Sequence, residues 1–321
     1  MKPMKMYPLK FEPIFKERIW GGRDLKTIFA KNLPENVKIG ESWELADVGE
    51  DKSVIANGQL AGMNIAEAMK KYTTEIFGAG IYKPPFPLLI KILDAQDDLS
   101  VQVHPDARTC LKMGKGKLKT ECWYIIDAKP GAVIYKGLKA GVTKEQFAEA
   151  IKDCTMAELL EKIEVEPGQC HFLPAGTPHA IGAGLLIAEI QTPSDTTYRV
   201  SDWNRVDESG NPRQLHIAEA LESIHFDQDS EELTVRDTGR LVDCDYFKVD
   251  KGHQAHGCEM LLDHGKMKAV IILDGKGKIY AQNDDNNSTV DFSKGETLLI
   301  PASYNGIVQF IEETYYLTVT I

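Results

Sequence analysis

The sequence predicts a mainly β protein built from two barrels, and three observations support this fold class. First, a series of short β-rich segments, such as PLLIKILDA, LSVQVHP, CWYIIDA and ETLLIPA, is separated by Gly, Pro, Asp or Asn. Second, helical periodicity is confined to three places and does not alternate with strands. Third, one strand-and-turn phrase occurs twice. Many evenly spaced strands with few helical insertions are typical of β-barrels and jelly rolls.

The repeated phrase has the spacing Gly-x5-Pro-x-Gly-x2-His in its first copy, and the second copy ends in glycine where the first has histidine. This spacing resembles the second conserved motif of the cupins, in which a Pro/Gly turn returns a histidine to the barrel mouth. The resemblance implies two cupin-type jelly-roll barrels, of which the second lacks metal ligands. The positions are Gly168, Pro174, Gly176 and His179 in the first copy and Gly295, Pro301, Ser303 and Gly306 in the second.

The length of 321 residues is enough for about two domains. An acid-rich stretch, DQDSEELTVRDTG at 227–239, separates the two blocks of strands. We therefore expect a catalytic, metal-binding domain over 1–239 and a smaller C-terminal barrel over 240–321.

Helical segments are predicted as insertions in the N-terminal part. Two capping-box patterns, Thr143 with Gln146 and Thr155 with Glu158, predict a pair of helices in the second of these segments. The predicted helical segments are 64–77, 143–163 and 215–224.

Composition excludes several classes of protein. With 43% hydrophobic residues and no apolar run of 18 residues, nothing is expected to span a bilayer. The first residues have no apolar segment typical of a secretory signal, and the six cysteines are dispersed, so we expect a cytoplasmic protein with reduced thiols. A net charge of −11 argues against a nucleic-acid partner, and it requires any phosphorylated substrate to meet a local cluster of lysine and arginine.

A metal site is predicted from three separate stretches. In LSVQVHPD, Gln102 and His104 are two residues apart, so strand periodicity places both on one face, with valines on the other. Glu121 begins the strand ECWYII, and His179 ends the repeated phrase. One carboxylate, one amide and two imidazoles suit a borderline divalent ion such as zinc, and they leave positive charge to stabilise an oxyanion.

The chain resembles the type I phosphomannose isomerases in their short bacterial form. The motifs RIWGGRDL, GESWELAD, KTECWYII, FLPAGTPHAIGAG and EIQTPSDTTYRVSDWNR follow in the order of that family along nearly the whole chain. The resemblance implies one zinc ion per chain, held by the same Gln102, His104, Glu121 and His179. It also implies a role in carbohydrate metabolism, as the reversible conversion of mannose 6-phosphate to fructose 6-phosphate through a cis-enediol(ate).

Three catalytic residues are expected for this reaction. Arg199 and Glu189 match positions that the family places at the active centre, and a guanidinium suits stabilisation of an enediolate better than proton transfer. Glu189 and Lys119 are the candidates for the proton transfer, since a nearby metal would lower the pKa of a lysine. His104 or a metal-bound water is a further option.

Phosphate recognition is assigned to Lys91 and Ser100. A lysine within an apolar strand is unfavourable by several kcal/mol unless it is paired or faces a wet cavity. Two alternatives to the isomerase are a metal-dependent cupin dioxygenase and a non-catalytic sugar-binding cupin. The sequence leaves the oligomeric state open, with a monomer among the options.

Overall fold

The computed structural model of the chain describes residues 4–79, 82–206, 210–227, 234–235, 238–282 and 289–321. The predicted mainly β class is confirmed. The helices are α1 Asp24–Thr27, α2 Ile65–Phe77, α3 Ala107–Met113, α4 Lys144–Lys152 and α5 Ile217–Ser223, with 3-10 helices at Gly58–Leu60 and Met156–Leu159. The strands are β1 Leu9–Lys10, β2 Ile14–Gly22, β3 Ile39–Leu45, β4 Asp47–Val48, β5 Asp51–Lys52, β6 Leu89–Ala95, β7 Val101–Val103, β8 Glu121–Ala128, β9 Val133–Leu138, β10 Leu160–Glu164, β11 Gln169–Leu173, β12 His179–Ile181, β13 Leu185–Gln191, β14 Tyr198–Ser201, β15 Thr234–Val235, β16 Gly239–Asp243, β17 Lys248–Gln254, β18 Glu259–Leu261, β19 Lys268–Asp274, β20 Lys276–Ala281, β21 Thr289–Ser293, β22 Thr297–Ile300, β23 Gly306–Phe310 and β24 Thr314–Thr320.

The strands form four main sheets and a small β4-β5 ribbon within the described residues. Sheet I has the order β15-β11-β8-β13-β6-β3-β2, and sheet II has the order β10-β9-β12-β7-β14. Sheet III has the order β1-β22-β19-β24-β17-β16, and sheet IV has the order β18-β23-β20-β21. Each sheet has two edge strands, so the expected barrels take the form of open sheets and not of closed rings of hydrogen bonds.

Apolar side chains show which sheets face each other. Trp123 and Ile187 of sheet I pack with Ile134 and Ile181 of sheet II, and we call the space between these sheets the first lumen. A second cluster joins sheets III and IV around a second lumen, with Ile272, Leu298 and Ile300 on one side and Ile279, Phe292 and Phe310 on the other.

The outer faces of these sheets are covered as well. Ile90 and Ala188 of sheet I pack in one cluster with Ile271, Leu317 and Val319 of sheet III, and α2 contributes to the same cluster. The outer face of sheet II packs on α4 and α5. The layers therefore run from helices through sheets II, I and III to sheet IV, and the first lumen lies between the first two sheets.

The two copies of the repeated phrase occupy corresponding places in the two sheet pairs. Gly168 and Gly295 both have positive φ, a conformation that glycine adopts without strain, and each precedes a strand, β11 or β22. After the turn, β12 begins at His179 and β23 begins at Gly306. The motif is thus a strand–turn–strand unit in both places.

One predicted helix is wrong. The segment 64–77 contains α2, which begins with a capping box at Asn64, and 215–224 contains α5. The capping box of Thr143 starts α4, but Thr155 forms no side-chain cap and is followed by a short 3-10 helix and by β10. Pairing of β10 with β9 outweighs the local helical pattern there. No helix of the described residues is long and apolar enough to cross a bilayer.

The division of the chain at residue 239 stays a prediction. Strand β1 pairs with β22 and so belongs to the same sheet as β16 and β17. Most of the acidic segment 227–239 lies outside the described residues.

The core between sheets I and III gives a prediction about stability. Leu317 is fully buried in β24, so Leu317→Ala leaves a cavity and should lower the free energy of unfolding by about 2–5 kcal/mol. Urea unfolding followed by circular dichroism measures this change. The control Ile311→Ala truncates a side chain that is 43% exposed and should shift the free energy by less than about 1 kcal/mol. Equal effects of the two substitutions would contradict the placement of this core.

Candidate active site

A row of five side chains crosses the inner face of sheet I. The strand register places Trp43 opposite Lys91, Lys91 opposite Glu189, Glu189 opposite Trp123, and Trp123 opposite His171. Residues directly opposite each other in antiparallel strands point to the same face, with Cβ atoms about 5 Å apart. Lys91 and Glu189, both predicted site residues, are therefore neighbours in the first lumen.

A second row crosses sheet II. Arg199 lies opposite Gln102, Gln102 lies opposite His179, and His179 lies opposite Lys136. The register thus brings together four residues that the sequence separates by up to 97 positions, and it places them across the lumen from the row in sheet I.

A compact cluster of possible metal ligands connects the two sheets. Nε2 of His104 lies 3.4 Å from Oε2 of Glu121, and Nε2 of His179 lies 3.3 Å from Oε1 of the same carboxylate. The three potential ligand atoms are within 4.8 Å of one another, and all three residues are buried. The amide of Gln102 lies 3.3 Å from Nε2 of His179, so rotation of the amide would bring its oxygen to the same place.

Hydrogen bonds fix the tautomers of both histidines. Nδ1 of His104 lies 2.9 Å from the carbonyl oxygen of Thr196, and Nδ1 of His179 lies 2.8 Å from that of Thr177. Each Nδ1–H therefore donates to a carbonyl, and each Nε2 presents a lone pair to the cluster. Burial, with the charge of Lys119, lowers the pKa of His104 to about 3, and burial also lowers the pKa of His179.

The donor set fits a divalent metal ion. Nε2 of His104 and Oε1 of Glu121 are buried and have no hydrogen-bond donor among the described residues, whereas Oε2 of Glu121 has the Lys119 ammonium 2.9 Å away. Lone pairs of the histidines consequently face carboxylate oxygens at 3.3 and 3.4 Å, an unfavourable contact that a cation between them would relieve. His104, Glu121 and His179 form a site that can hold a metal.

Lys119 lies beside this cluster. Lys119 lies two residues before Glu121, the first residue of strand β8. The Lys119 ammonium nitrogen is 2.9 Å from Oε2 of Glu121. Burial favours a raised pKa for Glu121, but the charge of Lys119 outweighs it and holds that pKa well below its usual range. The carboxylate is thus ionised in the lumen.

Lys91 and Glu189 form a second buried pair. Their charged atoms are 2.8 Å apart, and Nε1 of Trp123 donates to Glu189 over 3.2 Å. Burial raises the pKa of Glu189, although Lys91 opposes the shift. Burial would lower the pKa of Lys91, but Glu189 and Glu41 outweigh it and raise that pKa. The positive charge of Lys91 is therefore stable at this depth.

An open cavity of about 510 Å³ gives access to these groups. It contains six of the nine predicted site residues, and the remaining three, the buried ligand cluster, adjoin it through Lys119 and Gln102. The predicted site residues that line the cavity are Lys91, Ser100, Gln102, Lys119, Glu189 and Arg199.

Sequence reasoning missed Arg213, which lines this cavity and belongs to an arginine cluster around Asp202. Asp202 accepts bonds from Arg205 and Arg213, with 2.7 Å from its oxygens to Nη2 of Arg205 and to Nε of Arg213. Arg199 instead donates to the carbonyl of Gln214 over 2.8 Å, and burial together with the charge of Arg213 lowers its pKa. Three arginines around one carboxylate leave surplus positive charge, a pattern visible in the sequence only as RVSDWNR with Arg213 shortly after it.

Comparison with known proteins relates the chain to the same family that its sequence motifs resemble. A family model described as the catalytic domain of type I phosphomannose isomerase matches residues 8–119. Mannose-6-phosphate isomerase ManA of Bacillus subtilis is 37% identical over 320 residues, which cover 97% of this chain and 98% of that protein. A mannose-6-phosphate isomerase of Streptococcus mutans is 36% identical over 301 residues, or 92% of each chain.

Solved structures agree in fold. The crystal structure of mannose 6-phosphate isomerase from Bacillus subtilis superposes with a TM-score of 0.88 at 32% identity, covering 98% of this chain and 100% of that one. A putative mannosephosphate isomerase from Archaeoglobus fulgidus has the same fold, with a TM-score of 0.80 at 20% identity and 99% of each chain covered.

The ligand cluster predicts a loss of metal when its charge is removed. Glu121→Gln keeps the shape of the side chain but removes the anionic donor, so we expect metal affinity to fall by more than about 100-fold, since even indirect partners of a ligand contribute 10–100-fold. Elemental analysis after dialysis against a weak chelator measures the metal content. Glu189→Gln is the matched control, because it neutralises a buried carboxylate in the same lumen outside the cluster, and it should retain the metal. Retention of full metal content by Glu121→Gln would refute the assignment.

Proposed function

Since the chain belongs to the type I phosphomannose isomerase family, we propose that it interconverts mannose 6-phosphate and fructose 6-phosphate. The single observation that carries this proposal is that the His104, Glu121 and His179 cluster contacts a buried lysine, Lys119, which lines an open polar cavity beside it. The names of the relatives favour the isomerase over a dioxygenase or a non-catalytic sugar-binding protein.

We propose that the metal is zinc, one ion per chain, and that Gln102 is its fourth ligand. Two neutral imidazoles, one carboxylate and one amide oxygen suit a borderline ion, and the amide of Gln102 already touches the cluster. When bound, such an ion supplies positive charge that stabilises the oxygens of an enediolate.

Proton transfer is proposed for Lys119 or Glu189. The reaction removes the proton from carbon 2 of the open-chain aldose, and the electron pair forms the double bond between carbon 1 and carbon 2 while the carbonyl pair moves onto O1. A proton is then delivered to carbon 1, and the proton of O2 passes to O1 as the carbonyl forms at carbon 2. Lys119 lies next to the ligand cluster, 2.9 Å from Glu121. Burial raises the pKa of Glu189 although Lys91 opposes the shift, and a raised pKa favours a carboxyl group that accepts and returns a proton.

Arg199 is proposed to stabilise the developing negative charge. It lies beside Gln102 in the row across sheet II, and its buried Nε has no hydrogen-bond partner among the described residues. A guanidinium holds its charge through the reaction and donates bidentately, so its role is electrostatic.

We propose that the phosphate binds at the arginine side of the cavity, with Arg213 added to the predicted Lys91 and Ser100. Asp202 holds Arg213 and Arg205 in place, and Arg205 also pairs with Asp97, so the cluster retains a surplus of about one positive charge when Arg199 is included. This local charge meets the requirement that a net charge of −11 imposes on an anionic substrate. Lys91, paired with Glu189, lines the same cavity.

A cytoplasmic location is part of the proposal. All six cysteines lie in described parts of the chain and are free thiols, as expected in a reducing compartment.

The activity and the role of Arg199 can be tested together. Zinc-loaded protein should convert mannose 6-phosphate, with the fructose 6-phosphate formed detected by a coupled reporter enzyme. Arg199→Ala should lower kcat by about 100-fold or more, since it removes charge stabilisation of the transition state, while metal content stays at the wild-type level. Absence of turnover in folded, zinc-loaded wild-type protein would refute the function, and an unchanged rate in the variant would remove Arg199 from the mechanism.

Phosphate recognition by Arg213 predicts a different kinetic change. Arg213→Gln should raise KM for mannose 6-phosphate by about 10-fold or more with little change in kcat, because a hydrogen bond to a charged group contributes about 1.5–3 kcal/mol. Steady-state kinetics of the same coupled assay give both constants. Arg240→Gln, at a surface ion pair with Asp250 on sheet III, is the matched control and should leave KM unchanged. If both variants have the wild-type KM, Arg213 does not bind the phosphate.

A further inference from the structure

The second lumen contains a cavity separate from the candidate active site. Its volume is about 180 Å³, and it lies between sheets III and IV, where β18 forms the edge of sheet IV. The walls are apolar and include Ile272, Leu298, Ile300, Ile279 and Phe310. All five side chains are almost completely buried, so the cavity extends into the core of this sheet pair.

The volume and the apolar lining of this cavity limit the ligands that could fit in it. Protein interiors are close-packed, and voids much larger than a water molecule are few in a domain. An apolar cavity of about 150 Å³ stays dry and binds benzene, because water finds no hydrogen-bond partners there. The cavity between sheets III and IV therefore has room for one six-membered aromatic ring or a branched aliphatic group of similar size.

The polar residues at the opening of the cavity are Lys268 and Asp263, which form an ion pair. Lys268, Val270 and Ile272 alternate along β19 on the face that lines the cavity, and Lys268 is the outermost of the three. Its Nζ lies 3.3 Å from Oδ2 of Asp263, but the Asp263 side chain is 90% exposed whereas that of Lys268 is 19% exposed. An ion pair with so exposed a partner is weak, so the lysine can exchange it for an anion at the opening.

We propose that the second lumen binds a small aromatic or branched carboxylic acid, with its apolar body in the cavity and its carboxylate at Lys268. The site is independent of the isomerase reaction, since it lies in the other sheet pair, on the far side of the core between sheets I and III. The second copy of the strand-and-turn phrase contributes Leu298 and Ile300 to its wall. Where the first copy delivers a histidine to a polar lumen, the second thus helps to form an apolar one.

Phenylacetate and the uncharged phenylacetamide are matched probes, titrated into the full-length, zinc-loaded protein and followed by ligand-observed NMR. We expect phenylacetate to bind with a Kd of about 1 mM or tighter and the amide to bind more weakly. Val270→Phe, which fills the cavity, should abolish binding of both probes. Lys268→Gln should lower the affinity for phenylacetate about fivefold and leave the affinity for phenylacetamide unchanged.

Three controls distinguish binding in the second lumen from binding elsewhere on the protein. Lys266→Gln removes a nearby lysine that does not line the cavity and should bind like wild type. Arg213→Gln should also bind like wild type, which distinguishes the proposed site from anion binding in the candidate active site. Turnover of mannose 6-phosphate by Val270→Phe at the wild-type rate shows that the fold is intact. If that variant does not fold, the selective effect of Lys268→Gln at the opening still tests the proposal.

Three outcomes would overturn the proposal. Absence of saturable binding of both probes to the wild-type protein removes the site. Unchanged binding to folded Val270→Phe places the probe elsewhere. Equal affinities of Lys268→Gln and wild type for phenylacetate remove the carboxylate from Lys268. None of these outcomes bears on the isomerase function, which the coupled assay measures separately.

Discussion

The buried carboxylate of Glu121 is the group on which the first lumen depends. Its oxygens face the lone pairs of His104 and His179, and the ammonium of Lys119 lies 2.9 Å from one of them. A carboxylate that is removed from water is stable only when positive charge or hydrogen-bond donors surround it. One lysine supplies part of this charge and a bound divalent ion would supply the rest. The same requirement explains why Lys119, a candidate base, lies within a few ångströms of the candidate metal ligands.

The strand register turns these scattered residues into a site, and the apolar outer faces of the sheets fix the register. Lys91, Glu189 and Trp123 share one level of the inner face of sheet I. A slip of one residue would turn a whole strand over, exposing its charges to the core formed with sheet III and its apolar residues to the lumen. The cost of burying those charges in that core excludes the slipped arrangement. The precision of the candidate site therefore comes from packing on the outer face of sheet I, on the opposite side from the first lumen.

The mainly β class, the repeated phrase and the four proposed metal ligands could be predicted from the sequence, because they depend on period-two alternation and short spacings. It could not reveal that residues 156–164 leave the helical pattern, since only pairing with β9 makes β10 favourable. Arg213 was missed for a related reason. Its place beside Arg199 depends on Asp202, which holds two arginines through tertiary contacts that no local pattern encodes. Lys91 stood out as an unusual residue, but its pairing with Glu189 needed the register.

Sheets III and IV, which do not contain the candidate active site, stabilise the sheets that do. The part of the first lumen that holds lysines, carboxylates and histidines contributes little to hydrophobic stabilisation, because polar groups there must be desolvated and paired, and the apolar cluster around Trp123 and Ile187 fills only the rest of this lumen. Sheet I compensates on its outer face, where Ile90 and Ala188 pack against Ile271, Leu317 and Val319 of sheet III. Without sheet III this face would be exposed to water, and the register of the catalytic strands would lose its apolar constraint. Sheet IV then covers the other face of sheet III, so the stability of the site is built up through both sheet pairs.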